Sequence, residues 1–212
     1  MTFKLIENVK IPYSMTLVVF SIVVVTAFNV EGQTQIAHDV QPVVSLLLLW
    51  VLLIGLSASE GGQCSILNLK HIKPERFEES HPITSTICSL GYKGDNLNRY
   101  HLGRQFLVII LIFSINICGA PLANAQISNL PSWIHTSFIE SGIAITSMIV
   151  ILGQLPAQVN AWHCVLDYTN NSFMTFLLYV SLMIEASGIM HMVYLFQYCI
   201  SWLSGQPLET NE

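Results

Sequence analysis

The chain has 212 residues, 52% of them hydrophobic and only 10% charged, with a mean hydropathy of +0.57. Soluble domains carry roughly a quarter charged residues, so a water-soluble globular fold is excluded and an integral membrane protein is expected. The net charge of −5 adds little, since most of such a chain faces lipid or protein.

A helical span needs about 20 mainly apolar residues. Five segments qualify: Ile11–Val30, Val40–Ala58, Gln105–Asn124, Ile134–Leu155 and Ser172–Leu203. The expected fold is therefore all-α, a polytopic membrane protein of about five transmembrane helices, with residues 1–212 as a single transmembrane domain. The last segment is longer than a bilayer core requires, so it must tilt, break or project. Gly188 and His191 near its middle favour a break.

All eight Lys and Arg fall in two places. Lys4 and Lys10 precede the first segment. Lys70, Lys73, Arg76, Lys93, Arg99 and Arg104 lie in or at the end of the 59–104 stretch between the second and third. The positive-inside rule then makes the N-terminus and a loop 59–104 cytoplasmic, and an odd number of spans sends the C-terminus outside.

Three glycine–glutamine clusters mark the expected span ends: Glu60-Gly61-Gly62-Gln63, Gly103-Arg104-Gln105 and Gly153-Gln154-Leu155-Pro156-Ala157-Gln158. Glutamine offers both a carbonyl acceptor and amide donors. Glycine lets a backbone or a solute approach closely. Together they suit an uncharged polyhydroxy solute, and broken helix ends are favoured places for transporter sites. Each motif also has a plainer reading, as a helix cap or a solvated glutamine.

Two acids fall inside expected spans, Glu140 and Glu185. Ionisable groups there are costly and usually face the bundle interior. Partners in reach of Glu185 by sequence are His191 and Arg104. As a lone arginine at a span end, Arg104 also reads as an interfacial anchor. His163, Cys164 and Asp167 lie close together, but their spacing is not that of a zinc site, and no metal is expected. The five scattered cysteines give no disulfide framework. No P-loop, nucleophile elbow, H-E-x-x-H or dinucleotide fingerprint is present, so neither an enzyme nor a nucleic-acid partner is expected.

The pair "EGGQ" and "GRQ" resembles the EGxQ and GRQ pair of the silicon transporter family, known from diatoms, and "GQLPAQVNAWHCVLDY" (Gly153–Tyr168) is similar to a stretch found after a membrane span in that family. Full-length diatom members carry two repeats with one motif pair each. This chain has one pair and looks like the half-length silicon transporter-like proteins. The resemblance implies uptake of orthosilicic acid, with sodium as a possible coupling ion and no other cofactor. It implies Glu60, Gly61, Gln63, Gly103, Arg104 and Gln105 as binding residues, with Gln154 added more weakly. A plasma-membrane homo-oligomer, most simply a parallel dimer, is expected from the single motif pair and the one-sided charge. The rival readings are a passive channel for small uncharged hydroxylated solutes and a non-transporting membrane scaffold or accessory subunit.

Overall fold

The computed structural model describes residues 2–37, 39–122, 125 and 131–205. The expected end of the third span at Asn124, and residues 206–212, lie outside that set. The helices in chain order are α1 (Thr2–Val30), α2 (Pro42–Leu69), α3 (Pro82–Gly91), α4 (Asn96–Gly119), α5 (Ser132–Ile134), α6 (Ile143–Met148), α7 (Leu155–His163), α8 (Val165–Thr169), α9 (Ser172–Ala186) and α10 (Met192–Ser204). Among the described residues there is no strand, only an isolated bridge between Thr34 and Pro121.

Among the described residues, four helical stretches are long and apolar enough to cross a membrane: Lys10–Val30, Pro42–Leu69, Asn96–Gly119 and Ile143–His163. The chain is thus an all-α polytopic membrane protein. Side chains such as Val23, Val51, Ile54 and Phe113 are exposed along these helices. Apolar surface of this kind belongs in lipid, where helices satisfy their own backbone groups. The fifth expected span is divided: α9 and α10 are separated at Ser187–His191, and Gly188 takes φ 83°, a left-handed conformation that ends the helix.

The fourth span begins later and runs further than the pattern suggested. Gly142 sits at φ 74° ahead of α6. A π-turn over Ile149–Gln154 joins α6 to α7, with the Leu155 N–H donating to the Val150 carbonyl. Proline in a regular helix clashes with the carbonyl four residues back. The wider π-turn directly before Pro156 relieves that clash, so the helix continues to His163 instead of closing at Leu155.

The chain divides into two compact units. The first comprises residues 1–57 and 110–157. Its core holds Val24, Phe28, Ala125, Ile139 and Ala144. Buried Asn29 donates to the Val25 carbonyl at 3.0 Å and accepts from Ser45 Oγ at 2.6 Å, which ties α1 to α2. The second unit comprises residues 58–109 and 158–212. Its core holds Ile66, Ile87, Tyr100, Met174, Leu177 and Leu178. Much of the expected 59–104 loop is helical here, because α2 continues to Leu69 and α4 starts at Asn96. Tyr92 Oη donates to the Ile66 carbonyl at 2.7 Å, and Asn170 Oδ1 accepts from the Ile83 N–H at 3.1 Å at the start of α3.

Candidate functional site

The EGGQ and GRQ motifs meet in the second unit. Glu60 on α2 and Arg104 on α4 are both buried, and Arg104 Nη1 lies 3.5 Å from Glu60 Oε1. Gln158 on α7 donates from Nε2 to Glu60 Oε2 at 3.2 Å. Arg104 Nη2 donates to Gln105 Oε1 at 2.9 Å. Gln63 Nε2 donates to His101 Nδ1 at 2.9 Å. At about 1.5 Å of rise per residue, Glu60 sits roughly 13 Å inside the Leu69 end of α2, and Arg104 roughly 12 Å inside the Asn96 end of α4. Arg104 is therefore no anchor at a helix mouth. It is an interior cation paired with an interior carboxylate.

The motif glycines are points of close approach. A Cβ on Gly61 would overlap the Tyr168 ring, one on Gly62 would overlap Met174 Cε, and one on Gly103 would overlap the Ser181 carbonyl. Tyr168 is on α8, and Met174 and Ser181 are on α9. The glycines thus let α8 and α9 lie directly against the two helices that carry the ion pair.

Several buried polar atoms have no hydrogen-bond partner among the described residues: Arg104 Nε and Nη1, Ser59 Oγ and Ser65 Oγ. A buried donor left unpaired costs about 1–3 kcal/mol. Ser59 and Ser65 share α2 with Glu60 and Gln63, so the unpartnered atoms lie on the same two helices as the ion pair and the motif glutamines.

The other expected residues lie elsewhere. Glu185 is buried at the end of α9, where it accepts from Arg99 Nε at 2.7 Å and from Tyr194 Oη at 3.2 Å. Its cation is Arg99, not His191 or Arg104. His191 packs edge-on against Tyr194. Glu140 precedes the Ile143–His163 span, in a π-turn over His135–Glu140, with its side chain 54% exposed and 3.3 Å from His135 Nδ1. Gln154 is half-buried in the π-turn of the first unit. From its cluster, Gln158 is the glutamine that reaches Glu60. Asp167 lies 3.1 Å from His81 Nε2, and His163 and Cys164 are exposed. Among the described residues no group of three metal-ligating side chains forms.

Gln158, His101 and Arg99 were not singled out as site residues from sequence. Gln158 had a usable signal, as the second glutamine of the third cluster. His101 has only its helical spacing, three residues before Arg104 and four before Gln105, and Arg99, five and six residues before them, has no such signal.

Apolar helices long enough to cross a membrane, two of them joined by a buried ion pair, define a polytopic membrane protein. The chain belongs to the silicon transporter family, whose family model matches residues 2–212. No curated protein matches it, and no solved structure does.

Proposed function

We propose that the chain carries orthosilicic acid across the membrane, and that Glu60, Gln63, Arg104 and Gln105 form the binding site. The buried Glu60–Arg104 pair, with Arg104 donors left over, supports this reading best. Orthosilicic acid is tetrahedral and neutral near pH 7, with hydroxyls that donate and accept. The pair offers a carboxylate acceptor and guanidinium donors to an uncharged solute that both donates and accepts. Gly61 and Gly103 act by letting α8 and α9 close on the site.

Sodium coupling is part of the proposal. Sodium prefers oxygen ligands, and Glu60 Oε2 is the carboxylate oxygen held by a neutral partner rather than by the arginine. The N-terminus and residues 70–95 are assigned to the cytoplasm of a plasma-membrane protein, because every Lys and Arg lies before α1 crosses or in the stretch from Lys70 to Arg104. The one-sided charge supports a parallel arrangement if copies assemble, and a two-fold dimer is the simplest such assembly.

The test is uptake of radiolabelled germanic acid, a silicic acid analogue, into liposomes holding the purified protein. Uptake that needs an inward sodium gradient supports a coupled carrier. Uptake indifferent to sodium supports a passive channel. No uptake above protein-free liposomes supports a scaffold and rejects the proposal.

A further inference from the structure

We infer that Gln158 is a positioning residue for Glu60, an inference that rests on the transport reading above. Its Nε2 donates to Glu60 Oε2, while Arg104 lies on the other oxygen, so the two hold the carboxylate in one orientation. Glutamine suits this role because it donates without adding charge. A second cation there would leave the site positive, and a second anion would compete for Arg104. The π-turn before Pro156 makes the contact possible, since it carries the helix on to residue 158. The ionisable groups facing Glu60 are Arg104 and Tyr100 on α4 and Cys64 on its own helix.

The experiment compares germanic acid uptake by wild type, Gln158→Ala and Gln158→Glu in liposomes, at about pH 5.5 and about pH 8. Two carboxylates in hydrogen-bond reach hold one proton between them at low pH, and the protonated one can donate as glutamine does. Gln158→Glu should approach wild-type uptake at low pH and lose it at high pH. Gln158→Ala should raise KM by roughly 5- to 150-fold at both. If Gln158→Glu follows the wild-type profile, or Gln158→Ala keeps the wild-type KM, the inference is overturned. Wild-type protein that takes up nothing overturns the transport reading instead, so the two failures are distinct.

A separate observation concerns α9, and the geometry points to a transverse helix rather than a fifth crossing. The contacts Glu60–Arg104 and Gln63–His101 set the level at which α2 and α4 face each other. Gly62 and Gly103 lie at nearly the same level. Met174 fits against Gly62 and Ser181 against Gly103. Met174 and Ser181 are roughly 10 Å apart along α9, close to the spacing of about 8–10 Å between packed helix axes. A helix touching two neighbours at one level, two turns apart, lies across them. The contacts at its ends agree: Asn170 at its start meets the N-terminus of α3, and Glu185 at its end meets Arg99 near the start of α4. α9 therefore runs across α2 and α4 about two turns from their Leu69 and Asn96 ends, and α10, at 13 residues, is too short to span about 30 Å.

Ser204→Cys at the end of α10 and Glu78→Cys before α3 test this, with exposed Cys164 and Cys199 replaced by serine. Each variant is labelled in sealed, uniformly oriented vesicles with a membrane-impermeant maleimide, against the parent without either new cysteine. Both should react from the same face. Labelling of Ser204→Cys from the face opposite to Glu78→Cys would restore the fifth crossing and overturn the inference.

Discussion

Arg104 and Glu60 pair at 3.5 Å with side chains only 4% and 11% exposed, yet Arg104 Nε and Nη1 have no hydrogen-bond partner among the described residues. The pair is thus electrically balanced but short of acceptors. Removing one partner of a buried pair costs about 3–5 kcal/mol, because a lone charge remains. Glu60→Gln alone should lower the melting temperature of the detergent-purified protein and abolish germanic acid uptake. Adding Arg104→Gln should recover most of the thermal stability but none of the uptake. Uptake restored along with stability would show that the pair is structural only.

Gln63 and Gln105 are less buried than the pair and hold single hydrogen bonds. Gln63→Ala, at a half-buried position, should weaken uptake by roughly 5-fold or more in KM, and Gln105→Ala, at an exposed one, by less, with folding intact. Saturation curves of germanic acid uptake measure this. Unchanged curves in both variants would remove the glutamines from the site.

Glycines in this chain divide by what surrounds them. A Cβ on Gly103 would meet the Ser181 backbone carbonyl, which cannot rotate away, so Gly103→Ala should destabilise by about 1–3 kcal/mol. Gly91, at the end of α3, has open space around its Cβ position. Gly91→Ala should be neutral or stabilising by up to about 1 kcal/mol. Melting temperatures of the two variants, measured side by side, should move in opposite directions or differ plainly.

The sidedness of the 70–95 stretch rests on charge alone. Native Cys88 is a poor reporter, because it is buried and that burial raises its thiol pKa above the ordinary range; the thiolate is the reactive form. Exposed Glu78 is the better position. In intact cells, Glu78→Cys should react with maleimide only after the membrane is permeabilised. Reaction in unpermeabilised cells would invert the assigned orientation.

The amino-acid sequence by itself determined the solvent this chain folds in, since long apolar runs and sparse charge leave only the bilayer. It also determined the two motifs that converge, because EGGQ and GRQ are local strings read without any fold. Their partnership is tertiary. Glu60 and Arg104 are far apart in the chain, and only the antiparallel pairing of α2 and α4 brings carboxylate to guanidinium. Arg99 took Glu185 because α9 meets α4 near its start, and helical spacing along α9 carries no record of which neighbour it crosses. Gln158, rather than Gln154, reached Glu60 because a π-turn carried the helix through Pro156. Hydrophobic periodicity reports which residues avoid water. It does not report a change of helical pitch, the direction in which a short apolar helix lies, or which of two glutamines on one helix faces a buried acid. Packing decided those.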